Sequence, residues 1–272
     1  MNSKSVNADT MKKNVLLTGG TGFIGKKLTR LLLENGFSVS ILSRSVKKNT
    51  DGISYFQWDV EAGTIDEQAI LNADYVIHLA GENIGAKRWT VTRKKSILDS
   101  REKSTQLLYR TLQKTNHKLD AFISASGVGI YGAINDELIC SETTPAASDF
   151  LGTVCQKWEG ASLPIHALGI RTVQIRTGLV LGKGDGVLKQ LLPLFRLRIG
   201  SAIGSGKQYM PWIHIDDLCR IYLTAITNSK MEGPYNAAIN DGTNNTIFST
   251  TLAKVIGYKI WLPNVPAFIL QL

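Results

Sequence analysis

Three glycines spaced by two residues, Gly19, Gly22 and Gly25, punctuate the run Asn14-Val15-Leu16-Leu17-Thr18-Gly19-Gly20-Thr21-Gly22-Phe23-Ile24-Gly25. Val15 to Leu17 has no polar break, as a strand buried on both faces requires. From Lys26 to Glu34 the apolar residues Leu28, Leu31 and Leu32 fall on one side of a helix. The segment therefore reads as strand, glycine turn, helix. Gly19 permits the change of direction, Gly22 leaves no side chain where a pyrophosphate meets the backbone, and Gly25 lets the helix close on the strand. The unpaired N–H groups at such a helix start favour phosphate. The pattern predicts a dinucleotide-binding α/β fold, with Gly19, Thr21, Gly22, Phe23, Ile24 and Gly25 against the ligand.

The rhythm continues along the chain. Phe37–Leu42 predicts a second strand, closed by Ser43-Arg44-Ser45. An acid at this point accepts from the ribose 2′-hydroxyl of NAD, whereas Arg44 suits a 2′-phosphate, so NADP is expected over NAD. Ile53–Trp58 predicts a third strand. Asp59 after it either accepts from the adenine amino group or caps a turn. Tyr75–Gly81 reads as a fourth, buried strand; His78 within it fits a satisfied core histidine better than a catalyst. Leu79, Ala80, Gly81 and Glu82 then lie where the cofactor passes the strand ends.

A long helix is expected from Val91 to Lys114, a fifth strand over Phe122–Ser126, and a flexible loop over Gly127–Gly132. A helix from Asp149 to Ser162 should stop before Pro164, and Arg171–Arg176 forms a sixth strand. Beyond Val180 come a loop at 182–186, a basic helix from Val187 to Arg198, a helix from Leu218 to Thr227 and a late strand over 233–238. The expected division is a disordered leader over 1–12, a Rossmann domain with a doubly wound parallel sheet over 13–180, and a smaller, partly interleaved C-terminal substrate lobe over 181–272.

Composition removes other classes. The net charge of +9 is spread along the chain, with one concentration from Lys87 to Lys103, and no nucleic-acid motif accompanies it. An anionic small ligand is expected, not nucleic acid. No run of roughly 18 apolar residues suggests a membrane span. The polar start lacks a signal-peptide core, and three scattered cysteines suggest neither a disulfide framework nor a metal site, so a cytoplasmic location is expected.

These pieces, with His78-Leu79-Ala80, Ser124-Ala125-Ser126, Tyr131-Gly132, Arg176-Thr177-Gly178 and Trp212–Asp217, resemble the extended short-chain dehydrogenase/reductase superfamily in its NAD(P)-dependent epimerase/dehydratase branch. Lys87-Arg88-Trp89, Ile97–Arg101, Trp158-Glu159 and Gly204–Tyr209 are similar to an atypical subgroup whose members are called epimerase-like or cell-division inhibitors. The resemblance implies that Arg176, Thr177 and Gly178 also meet the cofactor, and that Gln208 and Trp212 border the substrate. A small-molecule substrate is expected, and a homodimer is compatible with the sequence. Members of the subgroup usually continue through a further C-terminal segment, so the last elements of the lobe are expected to be missing.

The superfamily's Tyr-x-x-x-Lys pair is not matched. With Glu159 as anchor, its places fall on Leu151 and Cys155; with Lys157 as the lysine, the tyrosine place holds Thr153. Hydride transfer needs an accompanying proton transfer, which leucine or an unactivated threonine does not provide. Ser126, Tyr131 and Cys155 are the catalytic candidates that remain, the last only with a lowered thiol pKa. Arg101 either clamps a substrate carboxylate or forms an ion pair on the helix surface. Two readings stay open: an NADP-dependent oxidoreductase or epimerase with a rearranged acid/base set, and a non-catalytic NADP-binding sensor or partner protein.

Overall fold

The computed structural model describes residues 12–45, 47–50, 52–133 and 139–266. The leader expected over 1–12 lies outside them apart from Lys12. The strands are β1 (Asn14–Thr18), β2 (Ser38–Ser43), β3 (Ile53–Asp59), β4 (Thr64–Ile65), β5 (Tyr75–His78), β6 (Ala121–Gly127), β7 (Thr172–Thr177), β8 (Leu179–Leu181), β9 (Trp212–His214) and β10 (Gly233–Ala237). The helices are α1 (Phe23–Glu34), α2 (Gln68–Leu71), α3 (Val91–Thr115), α4 (Phe150–His166), α5 (Gly186–Arg196), α6 (Ile215–Thr227) and α7 (Asn245–Ile256).

The main sheet runs β10-β7-β6-β5-β1-β2-β3-β4. Its pairings are parallel except for the short antiparallel edge β3–β4. The chain builds outward from β1 to β3, then returns to the other side of β1 and builds outward again. The reversal between β1 and β5 opens a crevice at the strands' carboxyl ends, where open α/β sheets take their ligands. This is the doubly wound Rossmann architecture.

Alternation along β1 distributes the core. Val15 and Leu17 pack with α1 and α6, including Leu28, Leu32, Leu218 and Tyr222. Leu16 turns to the opposite face with Val76, Phe122, Leu107, Leu108, Leu112 and Ile165. A strand covered on both faces needs a continuous apolar run, and β1 has one.

Several elements depart from the sequence expectation. α4 continues through Pro164 to His166. The carbonyl that Pro164 leaves unpaired belongs to Gly160, which faces open space, while Ser162 and Ile165 hold the last turn against the core. The expected flexible loop after β6 is a 3₁₀ turn over Val128–Tyr131. β10 joins the main sheet as its edge strand beside β7, with Asn236 opposite Arg176, so residues beyond 181 add a strand to the Rossmann sheet. α7 and the two-stranded parallel sheet β8–β9 were not anticipated.

Candidate functional site

The glycine turn is built as a cradle. Gly19 has φ +70, and a Cβ there would lie 3.1 Å from the carbonyl carbon of Leu79. A Cβ on Gly25 would come 2.3 Å from the Gly19 carbonyl oxygen, so α1 touches the turn backbone to backbone. α3, α4 and α7 begin with side-chain caps from Thr90, Asp149 and Asn244, and α5 and α6 from Asp185 and His214. Among the described helices longer than one turn, α1 alone starts without one, and no acid occupies its first turn. Uncapped N–H groups over a glycine-rich turn fit the pyrophosphate of a dinucleotide.

Arg44 stands exposed just past β2, with no ion-pair partner among the described residues. Asp59 Oδ1 accepts from the N–H groups of Glu61 (2.9 Å) and Ala62 (3.0 Å), the turn-capping alternative of the two left open by sequence. His78 is fully buried, its Nδ1 2.6 Å from Thr18 Oγ1 and its Nε2 3.1 Å from Ser104 Oγ. Burial, reinforced by the charge of Arg101, pushes its pKa down to about 3. Thr18 Oγ1 also accepts from the Ala80 N–H at 3.0 Å. His78 therefore pins the ends of β1 and β5 beneath the crevice and is a structural residue.

The segment after β5 is locked to α3. The Glu82 carboxylate accepts from Arg93 and from Ser96 Oγ at 2.7 Å, and its N–H donates to Ser100 Oγ at 3.1 Å. The position of Arg101 corrects the surface ion-pair alternative. It is 6% exposed and lies behind Gly81, donating to the carbonyls of Ile97 (2.9 Å) and Glu82 (3.0 Å) with its guanidinium 4.7 Å from the Trp158 ring centre. Burial lowers its pKa to about 10. It does not form the ion pair on the helix surface, and its guanidinium is engaged by backbone carbonyls.

At the carboxyl ends of β6 and β7 the structure assembles a polar network. Arg176 donates from Nε and Nη2 to the two carboxylate oxygens of Glu159, at 2.9 and 2.8 Å. Ser126 Oγ donates to the same Glu159 Oε1 at 2.6 Å. Arg176 Nη1 reaches the Tyr131 hydroxyl at 2.8 Å and the Glu142 carbonyl at 2.9 Å. Tyr131 in turn donates to Asn236 Oδ1 at 2.7 Å, and the Asn236 N–H donates to Glu142 Oε1 at 2.8 Å. The Arg176 side chain, expected at the cofactor, is thus committed to protein partners. Gly178 owes its identity to close packing, since a Cβ there would lie 2.6 Å from the Pro211 carbonyl oxygen. Thr177 Oγ1 donates to the Ile175 carbonyl at 3.2 Å.

Cys155 is 5% exposed beside Gly127 and Ser126, and burial pushes its thiol up to about 11. That leaves almost no thiolate near neutral pH, which removes it as a nucleophile or base. The four-residue step from Cys155 to Glu159 on α4 was the sequence signal that both face inward; Asn236 and Glu142 gave none.

Tyr131 and Asn236 open onto a cavity of about 450 Å³ between the 3₁₀ turn, the end of β10 and the loops before β9 and α7. Gln208 and Trp212 do not line it; their chain neighbours Tyr209 and Pro211 do. Trp212 Nε1 donates to Asp241 Oδ2 at 3.1 Å, and the Thr243 N–H donates to Asp241 Oδ1 at 3.0 Å. Burial opposes ionisation of Asp241, but these hydrogen bonds outweigh it and hold the carboxyl below its usual range. No described helix is long and apolar enough to cross a membrane.

A doubly wound sheet with this cradle at its switch point defines a dinucleotide-binding α/β protein. Residues 15–238 match the NAD dependent epimerase/dehydratase family, and the chain belongs to it. It is 36% identical over 259 residues to the epimerase family protein YfhF of Bacillus subtilis, covering 95% of this chain and 84% of YfhF. The human epimerase family protein SDR39U1 (isoform 2), crystallised with NADPH, is 33% identical with a TM-score of 0.82, over 95% of this chain and 84% of that one. A nucleoside-diphosphate sugar epimerase from Corynebacterium glutamicum is 31% identical with a TM-score of 0.76, over 94% of this chain and 53% of that one.

Proposed function

We propose that the protein is an NADP-dependent oxidoreductase or epimerase that acts on a small carbonyl or carbinol substrate without the Tyr/Lys pair. The observation that carries this reading is the uncapped start of α1 over the Gly19–Gly25 turn. A bound NADPH supplies a hydride to a carbonyl carbon, and NADP⁺ takes one from a carbinol. The N–H groups of the first turn of α1 hold the pyrophosphate, and Arg44 holds the 2′-phosphate. Tyr131, on the wall of the cavity, gives the proton to the substrate oxygen or takes it back. Arg176 fixes the phenol from behind, placing a positive charge 2.8 Å from its oxygen, and Asn236 orients its proton. Ser126 serves by orienting Glu159, not as an acid.

The test is a fluorescence titration with NADPH and NADH, on the wild-type protein and on Arg44→Ala. Loss of a charge-assisted contact to phosphate weakens NADPH by roughly tenfold to a hundredfold and leaves NADH within about twofold. Equal weakening of both nucleotides would remove Arg44 from the 2′-phosphate, and failure of NADPH to bind the wild type ends the reading. Reduction of a carbonyl panel that disappears in Tyr131→Phe assigns the proton donor.

One observation favours the second reading, a non-catalytic NADP-binding sensor or partner protein. At the two places where the superfamily carries its tyrosine and lysine, α4 holds Leu151 and the buried thiol of Cys155, so those positions offer no proton-transfer group. Tight NADPH binding without turnover of any substrate in the panel selects that reading.

A further inference from the structure

The cavity beside Tyr131 has a chemical bias that its place in the family does not dictate. Among the described residues that line it, none is Lys, Arg or His, and the one charged side chain is Asp241. The rest of the wall is apolar or neutral: Tyr131, Tyr209, Ile239, Asn236 and Thr243 carry most of its character. Arg176 approaches Tyr131 from behind, but it is 6% exposed and its charge is matched by Glu159 through two hydrogen bonds. α7 starts at the rim, yet its Ile247 N–H is taken by the Asn244 side chain at 2.9 Å.

A diphosphate entering such a space would lose its hydration without gaining a cation, and would do so beside a carboxylate held ionised by Trp212 and Thr243. A neutral molecule meets the opposite balance. Two tyrosine faces and the Ile239 side chain cover an apolar or aromatic body, and Tyr131 and Asn236 supply hydrogen bonds at one end.

We propose that the cavity selects an uncharged ketone, aldehyde or alcohol with a compact apolar body, and excludes nucleoside-diphosphate sugars. The proposal deepens the oxidoreductase reading and rests on it for the chemistry, although the selection itself is a property of the wall. It assigns Asp241 as a specificity-determining residue that acts by charge on anionic ligands.

The test is isothermal titration of the full chain, with and without saturating NADPH, using three probes: acetophenone, its anionic analogue 4-acetylbenzoate, and UDP-glucose. Acetophenone is expected to bind at low-millimolar concentration and to weaken at least about tenfold in Ile239→Trp, which crowds the cavity without touching the network. 4-Acetylbenzoate should bind at least about tenfold more weakly than acetophenone, and Asp241→Asn should narrow that ratio to about threefold or less. UDP-glucose should give no saturable heat at about 1 mM. Saturable binding of UDP-glucose overturns the proposal. So does equal affinity for the neutral and anionic ketones, indifference of acetophenone to Ile239→Trp, or no acetophenone binding at about 10 mM. If NADPH does not bind, the oxidoreductase reading falls while these outcomes still judge the cavity; if NADPH and UDP-glucose both bind, only the cavity proposal falls.

Discussion

Replacing Glu159 by Gln tests whether the polar network holds the fold together or serves the ligand. The wild-type carboxylate accepts from Arg176 twice and from Ser126 once, and the Arg176 and Glu159 side chains are 8% and 16% exposed. An amide offers one acceptor in place of two and turns donors toward the guanidinium, which then lacks a counter-ion. Removing one member of a buried pair costs about 3–5 kcal/mol, and the residual exposure of Glu159 favours the lower end, about 3. For a chain of this length that lowers Tm by about 6–12 °C. The double variant Glu159→Leu with Arg176→Met removes the stranded charge and should recover most of the loss. Urea unfolding followed by circular dichroism, in parallel with thermal melts, measures both. A Glu159→Gln cost below about 1 kcal/mol, or a double variant no better than the single, refutes the electrostatic account. NADPH affinity of the double variant separates the roles: a change within about threefold leaves Arg176 structural, and a loss beyond tenfold returns its side chain to the cofactor.

Other expectations follow from single sites. His78 is neutral in the fold down to about pH 3, whereas the unfolded chain protonates it near its ordinary value of 6.5. Its contribution is therefore complete above pH 6.5 and is lost as pH falls toward 3, by up to about 1.4 kcal/mol per unit. Unfolding free energies between pH 4 and 6 should fall less steeply in His78→Gln, and an unchanged slope would contradict the buried neutral imidazole. Gly25→Ala forces a methyl to within 2.3 Å of the Gly19 carbonyl oxygen. It should cost about 1–3 kcal/mol and weaken NADPH together with stability, as melts and titrations would report. Native Cys155 should react with a disulfide reagent at least about a hundredfold more slowly than in the unfolded chain, and Cys155→Ala should leave NADPH affinity within about twofold.

The Rossmann sheet was legible because its strands are buried on both faces, which forces continuous apolar runs such as Val15–Leu17 and Val76–Ile77 between punctuating glycines. The cradle was legible for a related reason. Its glycines are close in sequence, and at Gly19 and Gly25 the backbone geometry leaves no place for a side chain. Local rules misjudged the end of α4, because packing of Ser162 and Ile165 outweighed one hydrogen bond lost at Pro164. They misjudged Arg101 as well, since nothing in a helix pattern says that a guanidinium will lie behind Gly81 over Trp158.

The amino-acid sequence by itself determined the class of fold, the dinucleotide turn and the basic residue after β2, all of which are encoded within a few neighbouring positions. The tertiary structure alone decided what Arg176, Ser126, Tyr131 and Asn236 do. Ser126 and Glu159 lie 33 residues apart and meet where α4 packs on β6; Tyr131 and Asn236 lie 105 apart and meet because β10 returns to lie beside β7. A hydrogen-bond network depends on distances between distant segments, and those are set by sheet order, not by any pattern along the chain.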